Sequence, residues 1–169
     1  LATLFVVVWA ATPLLGAQRA RFSGIVLVVQ PMVLLQVMPG QADHHSLQLL
    51  ALALELGLLL RLFDHERLSV SRRTAVTAGA VAGFGIWVSP EMTIVAGLAV
   101  TVLGLAWLRG AIPARLLRHY ALGLTSLVAV ALLVERLPAD WLATEYDKVS
   151  LPHLTAGLAV LLVALAFEW

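Results

Sequence analysis

Long, uninterrupted apolar runs constrain this chain more than any other feature. Seven such stretches can be drawn, at 1–15, 22–38, 46–63, 74–88, 92–108, 119–134 and 153–168. Most are near the lower limit of about 17 residues that a helix needs to span a bilayer. They are continuously apolar, whereas the strands of a membrane barrel alternate with a period of two. The sequence therefore predicts an all-α fold, a polytopic bundle of about seven transmembrane helices forming a single domain over residues 1–169.

The composition excludes several classes of function. Hydrophobic residues make up 61% of the chain and charged residues 12%, whereas soluble domains have about 45–50% and about 25%. This excludes a soluble enzyme, a nucleic-acid-binding protein and a disordered tail, and a net charge of +1 also argues against an acidic polymer as partner. Because the chain contains no cysteine, it has no disulfide, thiolate nucleophile or cysteine-type zinc site. The partner that the composition predicts is the lipid bilayer.

The positions of the basic residues predict the orientation of the bundle. Nine of the eleven lysines and arginines follow the first, third and fifth predicted helices: Arg19, Arg21, Arg61, Arg67, Arg72, Arg73, Arg109, Arg115 and Arg118. Basic residues favour the cytoplasmic side of a membrane. The connections at 39–45, 89–91 and 135–152 are therefore expected outside.

The first external connection contains a candidate metal site. Pro39 and Gly40 end the second predicted helix, and the spacing of Asp43 and His45 places both side chains on one side of an extended backbone. A carboxylate and an imidazole could hold a divalent cation such as Mn²⁺ or Mg²⁺, beside a helix N-terminus that favours a phosphate. The alternative is that Asp43 caps a helix starting at His44 and that both histidines are interfacial.

The segment 41–48, Gln-Ala-Asp-His-His-Ser-Leu-Gln, resembles the Asp-X-His form of an external loop in GT-C superfamily membrane glycosyltransferases. It is most similar to the catalytic subunit of archaeal and bacterial oligosaccharyltransferases and to their bacterial relatives. The resemblance implies that Asp43 and His45 bind the divalent metal and that His44 adjoins the substrate. It also implies an enzyme of the bacterial inner membrane that takes sugar from a polyprenyl-phosphate-linked donor at the extracytoplasmic face, with an unknown acceptor. The segments 87–91 and 145–148 resemble the bacterial relatives less specifically.

The family also has an essential Asp in an earlier external loop, and this chain does not supply it. Asp43 is the first acidic residue, and the chain begins at Leu1, inside an apolar run and without an initiator Met. We therefore expect the chain to be an internal fragment of a longer GT-C-like protein, inactive alone.

Three further residues near the predicted external face are candidates. Ser89-Pro90-Glu91 is typical of a helix start, with Ser89 at the N-cap. Glu91 could in addition bind the metal or the acceptor, which makes it the candidate catalytic carboxylate. In the third external connection Lys148 and His153 could contact a lipid pyrophosphate by position, although a solvated amphipathic loop is the default interpretation.

Glu55 is the polar residue expected deepest in the membrane. It shares a predicted helix face with Gln48 and His44, so a polar stripe is expected to run inward from the metal motif. Intramembrane carboxylates are costly and seldom accidental. The interpretations left open are a protonated Glu55 hydrogen-bonded to a neighbouring helix, or a proton relay. The rival functions are accordingly a transporter subunit that uses Glu55 as its proton relay, and a structural membrane segment without a site.

Overall fold

The computed structural model describes residues 1–31, 44–63 and 71–167. These residues form six α-helices and a short 3₁₀ turn at Pro138–Asp140, and none of them is in a strand. The helices are α1 (Ala2–Val29), α2 (His45–Leu62), α3 (Ser71–Val88), α4 (Met92–Leu108), α5 (Ala114–Glu135) and α6 (Leu151–Ala166). The predicted all-α class is confirmed, whereas the count of about seven membrane helices stays a prediction.

By length and composition three helices, α1, α2 and α5, are candidate membrane spans, and α1 reaches its 28 residues only as two segments joined at Gly16. Two others, α4 and α6, are apolar but shorter. By length and composition, these helices support a location in a membrane, where the backbone hydrogen bonds of a helix are satisfied internally.

The helix α1 consists of two antiparallel arms, at 2–15 and 17–29, that meet at Gly16. Gly16 has φ 73° and ψ 160°, a conformation that residues with a side chain rarely adopt. The arms touch, because a Cβ built on Gly24 would lie 2.9 Å from Val8 Cγ2. The predicted six-residue connection before residue 22 is therefore wrong. Arg19 and Arg21 lie on the second arm, since the Ala, Gln and Arg residues after Gly16 are good helix formers.

The centre of the bundle is the contact between α3 and α5. Small residues let the two backbones meet: a Cβ on Gly79 would overlap the Tyr120 carbonyl oxygen, and a Cβ on Gly123 would overlap that of Val76. One turn along, a Cβ on Gly83 would lie 2.9 Å from the Leu124 carbonyl oxygen. The Gly79 and Gly83 pair thus serves close helix packing, as small residues spaced by four do in membranes.

The remaining helices pack around this pair, with α2 between α1 and α3, and α6 against α5. The start of α5 corrects a predicted boundary. The helix begins at Ala114 rather than at residue 119, following Pro113 at the N-cap. Arg115 and Arg118 are consequently helical instead of lying in the preceding connection, because charged residues end an apolar run without ending a helix.

Candidate functional site

The N-terminal ends of α2 and α4 enclose a cavity of about 230 Å³. Three of its lining residues are polar: His45 and Gln48 from α2, and Glu91 at the start of α4. His45 and Gln48 are half-buried, whereas Glu91 is exposed. The apolar lining is Leu49, Leu52, Met92 and Val95. The structure therefore brings the predicted metal ligand His45 and the predicted catalytic carboxylate Glu91 to one cavity.

A hydrogen bond within α2 orients the His45 ring. His45 Nδ1 lies 3.0 Å from Gln48 Oε1, one helical turn further on. An amide oxygen only accepts, so Nδ1 is the donor of this hydrogen bond. Metal-binding histidines are commonly oriented in this way, with one ring nitrogen donating to a protein oxygen and the other ligating.

The start of α2 is consistent with the sequence interpretation of a helix from His44. The regular helix is His45–Leu62, and His44 before it already has helical backbone angles and accepts from the Gln48 amide. Asp43 lies outside the described residues, so its roles as metal ligand and as cap both stay predictions.

His44 faces a different neighbour from His45. It lines a second cavity, of about 330 Å³, together with Leu47 of α2 and Phe84, Trp87 and Val88 of α3. Successive residues of a helix diverge by about 100°, so one histidine is turned toward α3 and the other toward α4. Their ring centroids are still only 4.4 Å apart.

The connection that presents Glu91 is very tight. The amides of Met92, Thr93 and Ile94 donate to the carbonyls three residues before them, at 3.0–3.1 Å. The helix proper begins at Met92 with Glu91 as its N-cap residue. Glu91 already has helical backbone angles and the Met92 amide donates to the Ser89 carbonyl, so the turn that opens α4 starts at Ser89, where the sequence predicts the N-cap. Met92, only 2% exposed, anchors the turn in the core.

The residues at this cavity suit a divalent cation but do not complete a site. An imidazole nitrogen and a carboxylate oxygen are ligands that Mn²⁺ and Mg²⁺ accept. Within residues 1–31, 44–63 and 71–167, no three His, Asp or Glu side chains are grouped closely enough to hold a metal. His45 and Glu91 are two candidates, and a third from Asp43 stays a prediction.

Glu55 is buried away from this cavity. It is 1% exposed, and the hydroxyl of Tyr120 on α5 donates to its Oε1 at 2.7 Å. Its Oε2 is buried and has no hydrogen-bond partner among the described residues. The polar stripe stays a prediction: Gln48 and His44 line different cavities, and Glu55 lines neither of these two.

The connection at 135–152 is folded onto Arg136. The Arg136 guanidinium donates from Nε to the Val149 carbonyl at 3.1 Å and from Nη2 to Glu145 Oε2 at 2.8 Å. The Arg136 carbonyl in turn accepts from Trp141 Nε1 at 3.2 Å. The hydrogen bond from Arg136 lowers the pKa of the Glu145 carboxyl below its ordinary value. This connection is therefore more ordered than the default interpretation of a solvated amphipathic loop implies.

Lys148 and His153 occupy different surroundings. Lys148 is exposed on the connection, whereas His153 is buried in the first turn of α6. The Ser150 backbone amide donates to His153 Nδ1 at 3.3 Å, and the Ser150 hydroxyl donates to the Glu145 carbonyl. His153 also lines a cavity of about 110 Å³ among α3, α4, α5 and α6. It therefore helps to start the helix, a role that the spacing of Ser150 and His153 could have indicated.

Sequence reasoning missed Tyr120 and Arg136. A buried tyrosine hydroxyl usually finds a partner, yet nothing in the sequence pairs position 120 with position 55.

Comparison of the chain with protein-family models, curated proteins and solved structures finds no match.

Proposed function

We propose that the chain is part of a GT-C-like membrane glycosyltransferase of oligosaccharyltransferase type. It would use a polyprenyl-phosphate-linked sugar donor at the extracytoplasmic face of a bacterial inner membrane, within a bundle of about seven membrane helices. The observation that carries the proposal is the cavity that His45 and Glu91 share. These residues are 46 positions apart in the sequence, and the resemblance of segment 41–48 had assigned the metal to His45.

Each residue has a distinct role in this proposal. His45 ligates Mn²⁺ or Mg²⁺ through Nε2, and Gln48 holds the ring in the required tautomer. Asp43, immediately before the described part of α2, supplies a carboxylate ligand. Glu91 acts on the acceptor or completes the metal site. The bound metal would neutralise the negative charge that develops on the leaving phosphate.

The partial positive charge at the N-terminal ends of the two helices favours the phosphate of the donor. Both α2 and α4 begin at this cavity, and Glu91, just before Met92, is the one acidic side chain among the described residues of its lining. The first amides of a helix lack intrahelical acceptors and carry partial positive charge. Two such ends beside one cavity favour a phosphate group. His44, Lys148 and His153 are secondary candidates for contacts with the donor.

The test is metal-dependent sugar transfer by the complete protein. We expect Asp43→Ala and His45→Ala to reduce transfer from a polyprenyl-linked donor by at least about tenfold, because losing even a hydrogen-bond partner of a metal ligand typically costs about 10–100-fold. Excess Mn²⁺ should partly restore both variants, because a lost ligand weakens affinity. Glu91→Gln should lower transfer without that rescue if Glu91 acts on the acceptor.

His44→Ala is the matched control, since His44 adjoins the motif but lines another cavity. Mn²⁺ binding measured by electron paramagnetic resonance separates loss of metal from loss of fold. If the His45→Ala and Asp43→Ala proteins bind Mn²⁺ and transfer sugar like the parent, the assignment is wrong.

A second candidate, proton-coupled transport through Glu55, is favoured by one observation. The Oε2 of this buried carboxyl has no hydrogen-bond partner among the described residues. If Glu55 carries protons, Glu55→Gln abolishes proton-coupled flux in vesicles of the complete protein. We expect flux and fold to be kept, because the Tyr120 hydrogen bond gives Glu55 a structural role.

A further inference from the structure

The two arms of α1 line an open apolar groove of about 590 Å³. Its lining includes Leu4, Phe5, Val8 and Trp9 from the first arm and Gly24, Ile25, Val28 and Val29 from the second. Many of these side chains are well exposed, with Phe5 70% and Val29 64% accessible. Exposed apolar surface of this extent marks a surface that binds apolar ligands, lipid or protein.

Arg21 is the one charged residue that lines the groove. It makes no ion pair with any residue in the described part of the chain, and no acidic residue precedes Asp43 in the sequence. The positive charge at this end of the groove is therefore not neutralised by its own helix. A ligand that matches the groove has an apolar body and a negatively charged end.

The dimensions of the groove favour a hydrocarbon chain over a helix. From Arg21 to Val29 the second arm rises about 12 Å, close to the depth of one leaflet of a hydrocarbon core about 30 Å thick. A volume of about 590 Å³ over that length gives a cross-section of roughly 50 Å². A hydrocarbon chain fits within that cross-section, whereas a helix about 10 Å in diameter exceeds it and could lie only along the open side of the groove.

We propose that this groove binds one acyl chain of an anionic phospholipid, with the phosphate headgroup held by Arg21. The basic residues predict that Arg21 lies on the cytoplasmic side, where negatively charged lipids attract basic groups beside the membrane. The site is remote from His45 and Glu91 in the bundle, and it does not depend on the proposed sugar transfer.

The test uses the indole of Trp9, which lines the groove. The protein is reconstituted in phosphatidylcholine vesicles with increasing fractions of brominated phosphatidylglycerol or brominated phosphatidylcholine. Bromine quenches tryptophan on contact, and the difference between the parent and Trp9→Phe isolates the Trp9 signal. We expect phosphatidylglycerol to quench Trp9 with about fivefold preference, the factor that corresponds to about 1 kcal/mol for one basic contact.

Arg21→Gln and Arg19→Gln separate a specific lipid site from general attraction of anionic lipid to basic residues. Arg21→Gln should remove the preference for phosphatidylglycerol. Arg19→Gln, which removes the same charge from an exposed position outside the groove lining, should keep it. Val28→Phe, which enlarges a half-exposed lining residue, should reduce Trp9 quenching by both lipids.

Three results would overturn the proposal. Equal quenching by both lipids would make the groove an unselective surface. If Arg19→Gln and Arg21→Gln lost the preference for phosphatidylglycerol equally, the preference would come from the overall charge of the second arm and not from a site at Arg21. No quenching of Trp9 by either lipid, in protein whose circular dichroism shows the native helix content, would mean that another protein segment covers the groove.

Discussion

The Arg61 guanidinium stacks on the indole of Trp9 at 3.6 Å from the ring centroid and donates from Nη2 to the Trp9 carbonyl oxygen at 2.8 Å. In an unbroken helix this carbonyl would accept from the amide of residue 13. That residue is Pro13, which has no amide hydrogen. Arg61 therefore supplies the donor that the proline removes, and it joins α2 to the first arm of α1.

Removing this donor should destabilise the protein. Arg61→Met keeps a flexible, unbranched side chain but leaves the Trp9 carbonyl without a donor, at an expected cost of about 1–3 kcal/mol in the free energy of unfolding. Pro13→Ala restores an amide at the correct position, so the double variant should lose less than the sum of the single changes. Unfolding in a mixed detergent series measures this coupling. Strictly additive effects would show that the carbonyl finds its donor elsewhere.

The hydrogen bond between Glu55 and Tyr120 should stabilise the contact of α2 with α5. Tyr120→Phe leaves Glu55 Oε1 without its donor in a buried site, and we expect a loss of about 1–3 kcal/mol. Glu55→Gln should cost less, because the amide oxygen can still accept from Tyr120. Tyr146→Phe is the control, since Tyr146 is 77% exposed. Thermal unfolding measures all three, and an unchanged Tyr120→Phe protein would contradict the role assigned to this bond.

A single methyl group added at the contact of α3 with α5 should destabilise the protein. In Gly79→Ala the Cβ would overlap the Tyr120 carbonyl oxygen, so the helices must separate, and overpacking of this kind costs about 1–3 kcal/mol or more. Gly104→Ala is the matched control, because a Cβ there meets nothing within 4 Å. In a helix that control should be neutral or slightly stabilising. Equal melting temperatures for the two variants would refute the close contact.

The orientation of the bundle can be tested by labelling, because the chain contains no cysteine of its own. A cysteine at Thr144, in the third external connection, should react with an impermeant thiol reagent applied from outside. A cysteine at Ser71, at the start of α3, should react only after the membrane is permeabilised. The same experiment at Gln41 extends the test to the metal motif. Labelling of Gln41→Cys from the cytoplasm alone would remove the glycosyltransferase assignment.

The connection after α5 should loosen in acid. The pKa of Glu145 is lowered in the folded protein by its hydrogen bond with Arg136. Its contribution to stability is therefore complete above the ordinary glutamate pKa of about 4.3 and is lost as the pH falls through the lower folded value. The emission of Trp141, which donates to the Arg136 carbonyl, should change in that window. Glu145→Gln should show no such transition, and a transition unaltered in that variant would assign it to another group.

Element positions could be predicted wherever apolar runs ended at turn residues. The run at 92–108 coincides with α4, because Pro90 precedes it and Gly110 follows it. The predictions failed where polar residues continued a helix, as at Arg19 on α1 and Arg115 on α5. Hydropathy measures where a helix can be buried, whereas its ends depend on backbone hydrogen bonds.

The site could be predicted only in part, for a related reason. Alternating orientation placed His45 and Glu91 at the same end of the bundle, but not beside one another. Their shared cavity depends on which helices are neighbours, and the sequence pattern does not encode that order. The pairing of Glu55 with Tyr120 could not be foreseen for the same reason.

The glycine contacts between α3 and α5 have a mechanical consequence. The two backbones approach closely at three glycines, Gly79 against Tyr120, Gly83 against Leu124 and Gly123 against Val76. Sliding one helix along the other would drive a carbonyl oxygen into the neighbouring helix, so we expect these helices to move as a rigid pair. Any widening of the cavity at His45 must then come from α2 or α4, the helices that carry its polar residues.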